Sequence, residues 1–362
     1  MTKLLGRTGL WLASAFALSL TIAPDAVRAQ SVDEIAHLSG SDRQQVLEEG
    51  AKKEATLTLY TSLIVDQAVR PLEEAFEAKY PFIDLQYARA DSTQLTQRIF
   101  AEARARAGQA DVVVASTSAA LKEADLLQSF ETPVLDAYPK DYIQADNLWA
   151  AIRFSHNGIA YNTNKVSVEE APKTWEDLLD PKWKGRMVWG KSLETGGPLA
   201  INYFLLERGE EETKKYFAKL AEQNVAVASG SIRAILDQVI AGEYDVMISA
   251  ALHHVIISHG KGAPVWFSSV DPVIARPDHV QLLKSAPHPH AAMLFIDFLL
   301  SKEGQTILKD ANYVPAHPEV DPPEKLRPTI PALNNMRQVV ITPADALELQ
   351  GPTMEIFNRT SR

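Results

Sequence analysis

The fold class follows from one short stretch, Ala110-Asp-Val-Val-Val-Ala-Ser116. Its residues are apolar in an almost unbroken run, whereas a strand with one solvated face alternates apolar and polar residues. Such a run is typical of a strand that is buried on both faces of a parallel sheet, with helices above and below it. The stretch therefore predicts an α/β protein.

The residues before this strand complete the unit. Segments 54–62 and 82–87 have the β-branched and aromatic content of strands. Residues 65–76 and 95–107 carry apolar side chains at helical spacing. This order of strand, helix, strand, helix and strand predicts a doubly wound unit in which parallel strands alternate with helices.

Small polar residues follow each predicted strand of this unit. Doubly wound sheets bind ligands at the carboxyl ends of their strands, where backbone N–H groups and hydroxyls can hold an anion. The alternative is that these residues only cap the helices that follow. The candidate ligand-binding residues are Thr61, Ser62, Asp91, Ser92, Thr93, Ser116 and Thr117.

A second α/β unit is predicted from Trp149 onward. Its strand at residues 186–189 leads through the Gly-rich segment 190–198 into a helix, whose first N–H groups could hold an anion. Glu194, Thr195 and Gly196 are the candidates in this loop, which lacks the lysine of a nucleotide-binding P-loop.

The first 29 residues have the layout of a signal peptide. A short basic segment precedes an apolar run from Leu10 to Ala23, and Ala29 offers a small residue for cleavage. We therefore expect an exported, periplasmic protein without stable membrane insertion.

Composition narrows the class of protein further. The 362 residues contain no cysteine, which excludes disulfides, thiolate metal sites and cysteine nucleophiles. The formal net charge of −10 disfavours nonspecific binding to nucleic acid, so no nucleic-acid partner is expected.

Several motifs occur in a characteristic order. Leu59-Tyr-Thr-Ser62 comes first, then Ala160-Tyr-Asn-Thr163, the run Thr174-Trp-Glu-Asp-Leu-Leu-Asp-Pro-Lys-Trp-Lys-Gly185, Ala241-Gly-Glu-Tyr244 and Phe295-Ile-Asp-Phe-Leu-Leu-Ser-Lys-Glu-Gly-Gln305. In this order they resemble the extracellular solute-binding proteins of ABC importers, specifically the ferric-iron-binding branch. The resemblance covers roughly residues 55–318.

The resemblance implies a two-lobed clamshell of the periplasmic-binding type, each lobe a mixed sheet flanked by helices. Residues 30–155 and 272–318 would form the first lobe, and residues 156–271 and 319–362 the second. The crossovers would lie near residues 153–159 and 268–283. An ABC permease and its ATPase are the implied partners, and a monomer is expected.

The chain departs from the ferric pattern at two places, the first being Leu63, where relatives often have Arg or His after the equivalent of Thr61-Ser62. That branch commonly binds iron with two adjacent tyrosines, but none of the ten tyrosines here are adjacent, and Ala250-Ala-Leu-His-His254 stands at the matching place. His253 and His254 could bind a divalent metal, donate hydrogen bonds to an organic anion, or be structural. Arg233 lies close enough in sequence to contribute to a positive pocket.

The sequence thus favours a receptor for a small organic anion, such as a carboxylate or a phosphorylated or phosphonate compound. The alternatives are a receptor for iron or another metal ion, with His253 and His254 as ligands, and a periplasmic metal hydrolase. No cofactor is expected beyond a metal ion as transported solute. His288 and His290 resemble a metal-binding tract but are expected to form the approach to a helix at Ala291.

Overall fold

The computed structural model describes residues 30–192, 196–268 and 270–361. Val32–Arg362 form one compact unit, and only Gln30 and Ser31 are described of the segment before it. The predicted signal peptide, residues 1–29, lies outside the described residues. Within the part that is described, no helix has the length and apolar character needed to cross a membrane.

The described residues contain twelve strands and twelve α-helices. The strands are β1 Thr56–Thr61, β2 Asp84–Arg89, β3 Val112–Ala115, β4 Leu127–Gln128, β5 Ala150–Asn162, β6 Met187–Gly190, β7 Ala226–Ala228, β8 Val246–Ala251, β9 Val265–Ser268, β10 Val273–Leu283, β11 Val314–Pro315 and β12 Gln338–Val340. The helices are α1 Val32–Ala36, α2 Arg43–Glu54, α3 Arg70–Lys79, α4 Ser92–Ala105, α5 Ser118–Glu123, α6 Gly197–Ala221, α7 Ile232–Ala241, α8 Leu252–His259, α9 Pro289–Leu300, α10 Lys302–Asp310, α11 Pro343–Glu348 and α12 Gln350–Thr360.

All the strands belong to one mixed sheet, whose main path runs β2-β1-β3-β10-β5-β8-β6-β7. Strands β2, β1 and β3 are parallel and form the first parallel set, and strands β7, β6 and β8 form the second. The long strands β10 and β5 lie between the two sets, antiparallel to each other and to their outer neighbours. We call β5 and β10 the crossover strands, because the chain passes between the two sets along them.

Each parallel set is covered by apolar side chains on both faces. In β3, Val112 and Val114 pack with Phe76 and Phe295 in one cluster, while Val113 packs into another. The prediction that this strand is buried on both faces is confirmed.

The second set repeats the arrangement with other helices. Trp189 of β6 packs with Phe204 and Phe217 of α6 and with Phe357 of α12, whereas its neighbour Val188 packs against the α7 and α8 side. The helix predicted after the Gly-rich segment 190–198 is α6, which is interrupted at Gly209, where φ is +73°.

Candidate functional site

The carboxyl ends of the first parallel set lie side by side, as the sequence predicted. Ser62 follows β1, Asp91 follows β2 and Ser116 follows β3, and these strands are adjacent and parallel. Because parallel strands end at the same edge of a sheet, the three turns border one region.

Three of the predicted residues there have hydrogen bonds within the fold. The Thr61 hydroxyl is fully buried, donates to the Val114 carbonyl at 3.1 Å and accepts from the Leu63 N–H. The Asp91 side chain caps α4 by accepting from the Gln94 N–H at 2.9 Å. The buried Thr117 hydroxyl donates to Gln281 Oε1 at 3.0 Å. The capping alternative therefore describes Asp91, and Thr61 and Thr117 join neighbouring strands.

Ser116 has a different environment, because it borders an ionic cluster on the crossover strands. Its hydroxyl donates to Asp278 Oδ1 at 2.6 Å. Asp278, on β10, forms ion pairs with Arg153 of β5 and with Arg276 of β10, the latter at 2.8 Å. Arg153 also donates to the Ser155 hydroxyl at 3.3 Å.

This cluster is almost entirely removed from solvent. Arg153 is 7% exposed and Asp278 is 2% exposed. Desolvation alone would raise the pKa of Asp278, but the guanidinium groups of Arg153 and Arg276 hold it well below its usual range. The carboxylate is therefore ionised at neutral pH.

Tyr313 connects this cluster to the predicted histidine pair. Its ring lies under the Arg153 guanidinium, with 4.1 Å between the guanidinium carbon and the ring centre. The Tyr313 ring also contacts His253, whose ring meets it edge-on at 5.9 Å between centres. His253 and His254 lie 4.1 Å apart, ring centre to ring centre.

Both histidines are neutral at neutral pH. Desolvation, together with repulsion from Arg233 and Arg153, lowers the pKa of His254 to about 4. Desolvation also places the pKa of His253 well below its ordinary value, with added repulsion from His254, Arg153 and Arg276. An anion placed among these groups would reverse that repulsion and favour the charged imidazolium.

The backbone at the histidines adds to this preference. His253 and His254 occupy the first turn of α8, and its N-cap residue, Ala251, offers no side-chain hydrogen bond to the helix start. The first N–H groups of a helix have no partner within it, and they point away from the helix together with the positive end of its dipole. The turn follows the carboxyl end of β8, in the second parallel set.

The remaining predicted residues contribute less. Arg233, on α7, is bound by both oxygens of Asp237, which offsets its charge. Gly196 has a φ of +78°, and a Cβ there would approach the Gly190 carbonyl oxygen to 2.6 Å, so the residue serves close packing of β6 against α6. Ser92 and Thr93 begin α4. Glu194 and Thr195 lie outside the described residues.

A metal ion finds little support among these groups. Across residues 30–192, 196–268 and 270–361, no three His, Cys, Asp or Glu side chains are grouped so that they could hold one. The charged neighbours of His253 are arginines, which would repel a cation. His288 and His290 instead pair with Asp111 and Glu54, whose carboxylates also accept backbone N–H bonds at the start of α9.

Four residues of the site were missed by sequence reasoning, namely Arg153, Arg276, Asp278 and Tyr313. One signal was present: Arg153 follows an apolar run, and Asp278 stands in an extended segment that ends in Val280, Leu282 and Leu283. A buried charge in a strand needs a partner, so such residues point to a cluster even before the partner is known.

A family model for bacterial extracellular solute-binding proteins matches residues 109–335. The matched region contains both crossover strands, α8 and Tyr313. It therefore includes the ionic cluster and the histidine pair.

Two curated relatives differ in the solute that their names give. "Iron uptake protein A1" of Synechocystis sp. is 26% identical over 222 residues, which are 56% of this chain and 61% of the relative. A Salmonella typhi periplasmic protein, provisionally assigned to 2-aminoethylphosphonate binding, is 24% identical over 231 residues, or 60% of this chain and 65% of the relative. The chain thus spans less than two thirds of the length of these relatives.

Among solved structures, iron-bound HitA from Pseudomonas aeruginosa matches with a TM-score of 0.70 at 24% identity, covering 83% of this chain and 99% of that one. The similarity is one of fold, that of the two-lobed periplasmic binding proteins. The predicted fold class, an α/β clamshell with two crossover segments, is confirmed.

Proposed function

Since the chain belongs to the family of bacterial extracellular solute-binding proteins, we propose that it is the receptor of an ABC importer and captures a small organic anion. One observation carries the choice of an anion. Arg153 and Arg276, on the crossover strands, act electrostatically on His253 at the uncapped start of α8. Asp278 offsets one of the two guanidinium charges, so these arginines keep a net positive charge that favours an anion.

The donor set suits carboxylates, phosphorylated compounds and phosphonates. A guanidinium presents its N–H groups in a planar fork that matches two oxygens of such groups. The first N–H groups of α8 provide further donors from the second parallel set. The provisional assignment of the Salmonella relative to a phosphonate supports the same class.

The alternative, an iron or other metal receptor, rests on the Synechocystis relative and on the HitA fold. Hard ferric iron prefers oxygen donors such as phenolates and carboxylates. Tyr313 offers a phenol beside the cluster, but Arg153 stacks on its ring and Asp278 is already paired with two arginines. We therefore favour the anion.

We further propose that capture closes two lobes about the crossover strands. The lobes would comprise residues 30–155 with 272–318, and residues 156–271 with 319–362. Supporting this division, one large apolar cluster draws on residues 35–154 and 275–316, while another extends from Ile159 to Phe357. Hinge closure about few chain segments is a common response to ligand in two-domain proteins.

The proposal includes the location, partners and chemistry of the protein. It would act as a monomer in the periplasm after cleavage of the signal peptide, and would deliver its solute to a permease and its ATPase. It would bind without catalysis, without a cofactor, without nucleic acid and without stable membrane insertion.

A thermal-shift screen tests the proposal most directly. The purified protein is heated with 2-aminoethylphosphonate, methylphosphonate, succinate, glycerol 3-phosphate and ferric citrate, and hits are measured by calorimetry. A ligand at 100 times its dissociation constant adds about 2.7 kcal/mol of stability. Stabilisation by one or more of the anions supports the proposal, whereas stabilisation by ferric iron alone would overturn it.

Two variants locate the binding. Arg153→Lys keeps the charge but loses the planar fork, so we expect weaker binding by about tenfold or more. Arg359→Gln removes an exposed arginine on α12 that pairs with Glu355, and should bind like the wild type. Equal affinity in wild type and Arg153→Lys would place the ligand elsewhere.

A further inference from the structure

Asp278 occupies an unusual position for an anion receptor, because its carboxylate lies where an anionic ligand would be expected. It faces Arg153 across the antiparallel pairing of β5 and β10 and bonds to Arg276 and Ser116. With 2% exposure, it is not screened by solvent. The fold therefore already holds one anion among the residues proposed to bind another.

We infer that Asp278 determines specificity by ligand charge, biasing the site toward singly charged anions over doubly charged ones. The inference rests on the proposed function and names the ligand class more closely. The two arginines divide their attraction between Asp278 and the ligand, so each additional negative charge on the ligand meets repulsion from the fixed carboxylate. Charges a few ångströms apart in a protein interior interact strongly enough to alter affinity by tenfold or more.

A purely structural role makes a different prediction. If Asp278 only holds the arginines in position, its replacement changes the affinity for all anions by a similar factor. If it sets charge preference, its replacement changes the ratio of affinities between anions of different charge. Only the ratio separates the two roles.

The test uses two pairs of ligands that match in shape and differ by one charge. Succinate is compared with succinamate at pH 7.5, and methylphosphonate is compared with its monomethyl ester at pH 8.5. Calorimetry gives each affinity for the wild type and for Asp278→Asn, which keeps the size and an acceptor for Ser116 but removes the charge. We expect the ratio of dianion to monoanion affinity to rise at least about tenfold in Asp278→Asn.

A second variant keeps the inference testable if Asp278→Asn fails to fold. Ser155, 4% exposed, accepts a hydrogen bond from Arg153. Ser155→Asp adds a carboxylate facing that arginine and should shift the ratio the other way, toward monoanions. Ser116→Ala removes a hydrogen bond to Asp278 without changing charge, and should alter both affinities of a pair alike.

The outcomes separate this inference from the proposed function. If the wild type binds a member of a matched pair and the ratio is unchanged within twofold in the folded charge variants, Asp278 does not set charge preference, and the receptor proposal stands. If no anion of either pair, nor any in the thermal-shift screen, binds the wild type, the proposed function itself fails and this inference with it.

Discussion

The guanidinium carbon of Arg153 lies 4.1 Å from the centre of the Tyr313 ring, so a buried charge rests on an aromatic face. The same ring meets His253 of α8 edge-on. Tyr313 therefore touches both a crossover strand and the first turn of a helix from the second parallel set. Its ring therefore connects the Arg153 guanidinium with the His253 imidazole.

Replacing Tyr313 should weaken binding according to what remains of its ring. Tyr313→Phe keeps the aromatic face and should bind within about threefold of wild type. Tyr313→Leu keeps much of the volume but loses the cation–π contact, worth about 0.5–2 kcal/mol, which corresponds to roughly a two- to thirtyfold loss. Calorimetry with the best ligand of the thermal-shift screen measures both. Equal losses in the two variants would argue for the hydroxyl, and not the ring face, as the contributing group.

The histidine pair should make binding of an anion stronger in acid. Desolvation and neighbouring arginines depress the pKa values of His253 and His254, His254 to about 4, and a bound anion opposes that depression. The pKa values of the two histidines are therefore higher in the complex than in the free protein. At a pH between the free and the bound values, ligand binding takes up protons, and the affinity rises as the pH falls. A metal site would show no such rise, and it would lose affinity only below the depressed pKa values, since imidazole binds metal only when neutral.

Calorimetry in buffers of different ionisation enthalpy measures this proton uptake between pH 7 and pH 5. His253→Ala with His254→Ala should abolish it, while His37→Ala, at a half-exposed histidine beside Asp33, should leave it unchanged. If the double variant binds as tightly as wild type at every pH, the pair is structural.

Elements of secondary structure that depend on the local spacing of apolar residues could be predicted from the sequence. The run of valines in β3 and the stripe from Val65 to Phe76 specify burial by their own spacing, and both became the expected elements, although the stripe begins with a π-helical turn at residues 65–69. Helix α2 was not predicted. Most of its residues are charged or polar, and Leu47 and Ala51 alone are too few to show an apolar stripe in the sequence.

The site was only partly predictable for a related reason. Ser62, Asp91 and Ser116 come to one edge of the sheet because β1, β2 and β3 are parallel neighbours. The alternation of strands and helices in the sequence predicts that arrangement. By contrast, two partners of Asp278, Ser116 after β3 and Arg153 on β5, lie more than a hundred residues away in the chain. Such a cluster depends on the register of antiparallel crossover strands, which a single sequence does not reveal.

Stability should fall as the pH is lowered from about 6.5 toward 4. Desolvation lowers the pKa of His156 to about 4 and that of His279 to about 3, against 6.5 for the unfolded chain. The unfolded state therefore binds more protons than the folded state in this range. Each histidine lowers the free energy of unfolding by about 1.4 kcal/mol for every unit by which its pKa differs between the two states, up to a few kcal/mol in total. Urea unfolding at pH 7 and pH 5 measures the loss, which His156→Gln should reduce. If the free energy of unfolding falls equally between pH 7 and pH 5 in wild type and in His156→Gln, His156 does not titrate in this range.

The carboxylate of Asp111 should matter for stability but not for binding. It is fully buried and accepts from the Thr58 N–H at 2.8 Å and from the N–H and the ring of His288. Asp111→Ala leaves these donors unpaired and should cost about 2–4 kcal/mol in urea unfolding, with ligand affinity unchanged. If a chelator changes the stability of the wild type, the structural role of His288 is wrong and His288 and His290 are to be regarded as metal-binding residues.

Ligand binding should bring the two parallel sets closer together if the crossover strands act as a hinge. The pairing of β5 with β8 is irregular between Gly158 and Ala160, and Ser249 in β8 has a φ of +59°, so the sheet is already bent where the second set begins. The chain has no cysteine, so spin labels can be placed at Gln94→Cys and Ser229→Cys, two exposed positions that follow β2 and β7. Saturating ligand should shift the distance between these labels to shorter values and reduce the radius of gyration in solution scattering. A second pair, Gln94→Cys with Glu123→Cys, lies entirely beside the first set and should keep its distance. If the first pair and the scattering curve are both unchanged while calorimetry shows full occupancy, the protein binds its ligand without closing.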